Sequence, residues 1–414
     1  MTRAGKAEEL GRGALDWMLR QARETDAGLA WPVVPSAETH LDAFYLGTEG
    51  VVRALLEGHR HFGDDRYADA ALRGARHIAV EVGEESYGGL YIGAMGKALV
   101  LRAVGERLDD SASRAAVAPA LAKVGELAEN GRWAGMVEIL YGNAGVILGA
   151  LVCGDLALAV TAAESMAAEA ERTEHGVNWR IRADSPRHVR HMAHGAVGNA
   201  FALASAGAAA DRPDLTELAL AAVAEVLSHD EADGPEGLLI ARNSDAGKSL
   251  DERCAYGWCA GAAGDAQLFR HLARITGDPA WSVLVDRCWH TITHSGLPAR
   301  KWPGFWDNVA RCCGTAGVLA LGCDLVAEGR HGAAEFTDVL ADDLIERAIV
   351  DAEGVRWSNY DHEKPGDLEP GLGWGHGASG IVPELLRYAR IGTGRGTDYA
   401  VAWPDQPPAD RTPR

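Results

Sequence analysis

Nowhere in its 414 residues does the sequence gather roughly 18 apolar residues in a row, so no segment reads as a membrane-spanning helix. Positive charge is also short: 40 Lys and Arg stand against 59 Asp and Glu, a formal net charge of −19. That balance argues against binding through a nucleic-acid phosphate backbone or an anionic membrane surface, and suits a basic partner or simple solubility. Cysteine is scarce, with seven residues at irregular spacing, an odd number that does not fit a secreted disulfide framework. The opening stretch MTRAGKAEELGRGALDWML lacks the apolar core of a signal peptide. The expectation is a cytoplasmic protein with reduced thiols. Strand signals are few, and short loops such as WSNYDHEKPGD hold a hairpin at most.

What the chain has is a repeat. A Gly-x-x-Gly followed by an apolar helical run recurs as YLGTEGVVRALLEG, YIGAMGKALVLRAV, LYGNAGVILGALV, AHGAVGNAFALAS, WCAGAAGDAQLFRHL, CCGTAGVLALGCDL and GHGASGIVPELLRY. Their first glycines are Gly47, Gly93, Gly142, Gly195, Gly261, Gly314 and Gly377. Intervals run from 46 residues (Gly47 to Gly93) to 66 (Gly195 to Gly261), enough for two helices and two connections. Between the copies lie patterns such as YADAALRGARHIAVEV and LTELALAAVAEVLSH, apolar at i, i+3, i+4 and i+7 with charges opposite. The helices after each Gly-x-x-Gly are apolar nearly all round. Buried helices alternating with amphipathic ones predict an all-α fold, an α/α toroid (double α-barrel) of seven inner and seven outer helices. Residues 1–402 read as one such domain, and 403–414, the proline-rich and polar WPDQPPADRTPR, as a flexible C-terminal tail.

In this pattern the first glycine permits backbone angles closed to other residues, and the second lets inner helices approach. The inner-helix starts carry unpaired N–H groups and the positive dipole end, so their convergence would make a basin favouring anions, thiolates included. The two positions before each first glycine then supply a common coordinate. They read Tyr45-Leu46, Tyr91-Ile92 and Leu140-Tyr141 in the first three copies. In the last four they read Ala193-His194, Cys259-Ala260, Cys312-Cys313 and Gly375-His376. Apolar or aromatic residues fill the first half and proton- or metal-active residues the second. Cys259, Cys312 and Cys313 would lie at neighbouring helix starts, three thiolates for a tetrahedral Zn²⁺ with its fourth position open. Two other readings stay open. The cysteines could be small buried hydrophobes, as fits Cys153, Cys288 and Cys323, or Cys254 could be a fourth ligand that closes the site.

With AHGAVG, GWCAGAAG and RCCGTAG in order on a sevenfold helical background, the chain resembles the lanthionine synthetase cyclase family (LanC-like proteins) over most of its length. The resemblance implies an enzyme that adds a peptide cysteine thiol to the β-carbon of dehydroalanine or dehydrobutyrine, closing a (methyl)lanthionine thioether ring. It implies zinc ligands at Cys259, Cys312 and Cys313 and an acid/base histidine at His194. Where the family usually has Cys-His this chain has Cys312-Cys313, an all-cysteine set found in a subset of the family, and Ala260 stands where the family has tyrosine. Glu138 matches the family's acidic residue, and would orient a histidine or hold the peptide. His376 shares the phase of His194 and is the second acid/base candidate, while His188 and His191 read as surface or loop residues. Trp258, Trp302, Trp306 and Trp374 would line a peptide groove or pack. The implied partners are a dehydrated precursor peptide and a separate dehydratase. The alternatives are a non-catalytic zinc-holding scaffold or peptide-binding partner, and a toroidal carbohydrate enzyme, whose usual carboxylate pair does not recur at the repeat phase.

Overall fold

A computed structural model describes residues 1–182, 184–185, 187–240, 253–360 and 366–407. Its helices alternate as expected. The inner ones are α2 (Thr48–Phe62), α4 (Ala94–Arg107), α6 (Asn143–Cys153), α8 (Ala196–Ala210), α10 (Ala262–Thr276), α12 (Thr315–Ala327) and α14 (Ala378–Gly392). The outer ones are α1 (Arg3–Gln21), α3 (Asp65–Glu81), α5 (Ser111–Glu126), α7 (Leu156–Ala168), α9 (Pro213–Leu227), α11 (Pro279–His294) and α13 (Ala333–Glu346). Each inner helix packs on the next, and α14 packs on α2, which closes the ring. The seventh outer helix is α1, at the other end of the chain from its partner α14. Outer helices start on side-chain caps, for example Asp64, Asp110, Asp155 and Asp278 accepting from first-turn amides. Inner helices start on glycine.

Four two-residue or three-residue hairpins follow outer helices, at 23–30, 128–133, 171–178 and 349–356. Each leads to a buried tryptophan whose indole N–H donates to a carbonyl of the outer helix just left. Trp31 bonds Met18 O (2.8 Å), Trp133 bonds Val124 O (2.6 Å), Trp179 bonds Met166 O (2.8 Å) and Trp357 bonds Leu344 O (2.8 Å). These indoles pin the chain as it returns to the inner ring, and the apolar remainder fills the space between rings. The hairpin expected in WSNYDHEKPGD lies partly outside the described residues; Tyr360 and Asp367 pair as an isolated antiparallel bridge.

The glycines are explained by space. A Cβ on any second glycine would lie no more than 2.6 Å from the carbonyl oxygen three residues before the first glycine, as at Gly96 against Leu90 O. The nearest side chain from the neighbouring copy is that same position: Trp374 at Gly50, Met192 at Gly264, Arg311 at Gly380. Special backbone angles are the exception. Of the seven first glycines only Gly93 has positive φ, at 135°; at the others a Cβ would collide with the loop backbone. The basin of unpaired amides is also corrected. First-turn N–H groups are taken by the loop's own carbonyls, as in Ala94 N to Tyr87 O (2.8 Å), Ala196 N to Val189 O (3.0 Å) and Ala378 N to Gly371 O (3.0 Å).

The loops before the first glycines are sewn into a closed circle. Tyr45 N donates to Tyr91 O (2.9 Å), Tyr91 N to Leu140 O (3.0 Å) and Ala193 N to Cys259 O (3.0 Å). Cys259 N donates to Cys312 O (3.1 Å), Cys312 N to Gly375 O (3.1 Å) and Gly375 N to Tyr45 O (2.8 Å). These are all residues two before a first glycine. The link from the third copy to the fourth comes one residue early, Ile139 N to Ala193 O (3.3 Å).

The chain's end is not a loose tail from residue 403. It enters the inner ring from the C-terminal ends of the inner helices, meeting buried charges that need partners there. Arg387 Nε donates to Thr397 O (2.6 Å), Arg390 Nη2 to Asp398 O (2.9 Å) and Arg53 Nε to Val401 O (3.1 Å). Trp403, 3% exposed, stacks on Phe44 with centroids 3.6 Å apart. Asp405 accepts from Tyr91 Oη at 2.7 Å and Gln406 Nε2 donates to Asp324 at 3.2 Å. Proline content suggests disorder, but buried arginines on the inner helices and Tyr91 on the loop before α4 hold this segment. Positions 408–414 lie outside the described residues. Replacing Trp403 by alanine should therefore lower the unfolding free energy by about 3–5 kcal/mol, measured by chemical denaturation; a flexible tail would give no change.

Candidate metal centre

Cys259 and Cys312 stand at the same point of consecutive copies, joined through the main-chain circle, and Cys313 follows directly. Their sulfurs meet. Cys313 Sγ lies 2.9 Å from Cys259 Sγ and 3.3 Å from Cys312 Sγ, and all three lie within 4.8 Å of one another. These separations are far beyond the roughly 2.05 Å of a disulfide. Cys312 is buried, while Cys259 and Cys313 are half-buried and bring the cluster to the surface.

The group suits a divalent ion. In a tetrahedral zinc site with Zn–S of about 2.3 Å, sulfurs sit about 3.8 Å apart, so small side-chain movements would admit one. The sulfurs of Cys259 and Cys313, together with burial, push the Cys312 thiol far above its ordinary range. Crowded thiolates repel; a dication among them reverses the sign. Cys254 is buried, but its sulfur is not in the group, so the fourth-cysteine closure is not met. Burial is the main cause that pushes Cys323 up to about 12 and raises Cys288, both enclosed in helices, and that pushes half-buried Cys153 up to about 11. These three are packing thiols.

The shifted link in the circle marks Glu138. Its wholly buried carboxylate takes Leu140 N (3.1 Å, to Oε2) and Tyr141 N (2.7 Å, to Oε1), so Ile139 makes the inter-copy bond instead. The same Oε2 lies 2.7 Å from His194 Nδ1. Accepting the Nδ1 proton fixes the tautomer and leaves Nε2 to the accessible side; the His194 side chain is 42% exposed. Burial pulls the His194 pKa down, the Glu138 carboxylate and Cys313 pull it up, and the net direction is up. Cys313 and His194 thus share one neighbourhood.

On the other side, the exposed His376 brings Nε2 to 3.1 Å from Tyr45 Oη. Burial, then Cys312 and Cys313, raise the Tyr45 phenol, which places it against the sulfurs. Sequence reasoning treated Tyr45 as filler because it belongs to the first copy; ring closure makes it the neighbour of the seventh and sixth. Of the proposed groove tryptophans, Trp258, Trp306 and Trp374 are buried, and only Trp302, 37% exposed, could meet a ligand. His188 pairs at the surface with Glu171 (3.0 Å) as expected. His191 does not fit its expected place: it is buried, 2.9 Å from Asp265 Oδ2 on α10.

Residues 40–247 and 241–341 match the family described as lanthionine synthetase C-like protein. No curated protein matches the chain at a significant level. Among solved structures, nisin cyclase has a TM-score of 0.64 at 16% identity, covering 96% of this chain and 96% of that one. An unsaturated glucuronyl hydrolase from Bacillus sp. GL1 has a TM-score of 0.53 at 12% identity, covering 95% and 98%. The GH76A alpha-1,6-mannanase from Salegentibacter sp. HEL1_6 has a TM-score of 0.50 at 13% identity, covering 94% and 99%. At such identities these likenesses establish the fold they share with this chain, and not a common chemistry.

Cobalt(II) substituted into the thiol cluster should give an intense thiolate-to-metal charge-transfer band. Cys313→Ala should remove most of that band; an unchanged spectrum would exclude Cys313 as a ligand.

Proposed function

The chain belongs to the lanthionine synthetase C-like family, and we propose on that basis that it closes (methyl)lanthionine rings in a ribosomally made peptide. The observation that carries this reading is the meeting of three cysteine sulfurs with a carboxylate-oriented histidine at one end of the toroid. In the reaction a peptide cysteine adds across the double bond of dehydroalanine or dehydrobutyrine. The S–Cβ bond forms, the C=C π bond breaks, the thiol loses its proton and Cα gains one, so mass is unchanged.

Cys259, Cys312 and Cys313 would hold zinc, which when bound supplies the positive charge that keeps an incoming thiol ionised near neutral pH. His194 is the proton donor to Cα, through Nε2, with Glu138 holding its Nδ1 proton and tautomer. Tyr45, backed by His376, occupies the opposite side of the cluster and would steady the peptide or its developing charge by a hydrogen bond. It offers a phenol where Ala260 cannot. The absence of Cys254 from the cluster favours this reading over a closed structural site. On this reading a separate dehydratase supplies the dehydro residues and the chain is a cytoplasmic enzyme acting on a dehydrated precursor; no helix of the described residues is long and apolar enough to cross a membrane.

Incubation with a dehydrated, cysteine-bearing peptide should consume free thiol without a change of mass, and His194→Ala should slow this by about 10²–10⁴-fold. Persistence of thiol across several such peptides would favour the scaffold. The raised pKa of His194 means its acid form survives to higher pH, and the donor is lost as pH rises through that value. Removing the Glu138 charge in Glu138→Gln should move the alkaline fall of kcat to lower pH; a profile that keeps its position would separate Glu138 from the proton donor.

A further inference from the structure

A second cluster of metal-binding side chains lies apart from the three cysteines. His40 and Asp42 sit on the loop that leads into α2, and His77 projects from outer helix α3. One ligand atom from each lies within 4.8 Å of the others. His77 Nε2 is 3.0 Å from Asp42 Oδ2, and His40 Nε2 is 3.6 Å from the same oxygen. The two imidazoles meet edge to face, centroids 4.9 Å apart. We propose that His40, Asp42 and His77 form a second divalent-cation site, of the two-histidine, one-carboxylate type that binds zinc.

Three features support it. With zinc–nitrogen and zinc–oxygen distances of about 2.0–2.2 Å, tetrahedral ligand atoms lie about 3.3–3.5 Å apart, and the observed pairs bracket that value. His77 Nδ1 lies 3.2 Å from Thr25 Oγ1, an outer partner that can take the Nδ1 proton and leave Nε2 to the metal. Among the described residues Asp42 Oδ1 is buried with no hydrogen bond of good geometry, and the Thr48 side chain helps keep the carboxylate ionised.

Charge favours a cation despite Lys97. Its ammonium rests on the Asp42 carbonyl (2.9 Å), on Glu49 Oε1 (2.9 Å) and near Glu85 Oε2 (3.4 Å), not on the Asp42 carboxylate. Among the described residues here, the carboxylates of Asp42, Glu49 and Glu85 thus face that one ammonium, and Glu81 adds negative potential at His77. His40 is 36% exposed at its side chain and gives the site its entry. A bound ion would tie the loop to α3. That loop runs on to Tyr45 and Gly47, so the ion would fix the segment that carries Tyr45 to the sulfurs.

The test is cobalt(II) titration of the metal-depleted full chain. Wild type should take up two equivalents, one giving the thiolate charge-transfer band and one giving only the weak visible bands of a nitrogen–oxygen site. His40→Ala, at the exposed side where folding is insensitive, should weaken the second equivalent at least tenfold and leave the charge-transfer band intact; His77→Gln should abolish it. Uptake of no nitrogen–oxygen equivalent by wild type, or the same affinity in both variants, would overturn the site. Because the thiolate site reports through its own band, its fate is separable from this one.

Discussion

The circle of main-chain hydrogen bonds at the mouth of the inner ring decides which side chains can react together. Each copy passes an amide to the carbonyl of its neighbour, and the seventh returns to the first. Residues hundreds of positions apart thereby gain fixed adjacency: Cys312 is held between Cys259 and Gly375, and Gly375 leads to Tyr45. A backbone amide and carbonyl left unpaired at this depth would each carry a desolvation cost, so the circle is strongly favoured once the helices close. It needs the chain to pass very near its own helix starts. That is why a Cβ at either glycine of a copy would meet backbone.

The circle has one displaced link, and the displacement sets Glu138 against His194. Glu138 presents its carboxylate to two successive amides that would otherwise serve the loop, and the adjacent residue makes the inter-copy bond. A carboxylate held by two backbone N–H groups is fixed in position and needs no cation beside it to be satisfied. It can therefore turn its Oε2 to His194 as well. Asp265 serves buried His191 in the next copy through a side chain on a helix instead, which leaves that imidazole enclosed. The two pairs are similar in distance but differ in access: the His194 side chain reaches solvent and His191 does not.

Much of this was legible in the sequence, because a repeat fixes phase. The toroid, its inner and outer helices and the meeting of Cys259 with Cys312 and Cys313 follow from counting back from each first glycine. What counting cannot give is closure. Tyr45 looks remote from Cys312 until the first and last copies are joined, and α1 looks unpaired until it packs on α14. Nor does composition reveal a partner. WPDQPP reads as disorder, yet Asp405 meets Tyr91 on the loop before α4 and Gln406 meets Asp324 on α12. His191 was misplaced for the same reason, since its partner Asp265 lies in another copy. The anion-favouring helix starts failed locally: the loop carbonyls reach the first-turn amides before any ligand can.

That last failure sharpens the case for a cation at the thiols. The first-turn amides are occupied by loop carbonyls, and the chain's net charge of −19 gives no general positive field to stabilise three thiolates. Burial is not the discriminating factor, because Cys288 and Cys323 are equally enclosed and their shifts are led by desolvation. At Cys312 the neighbouring sulfurs are the leading cause of the shift, ahead of burial. These sulfurs are too far apart for a disulfide. A divalent ion converts the same proximity from repulsion to attraction. The main-chain circle holds the sulfurs close enough for one divalent ion to meet all three.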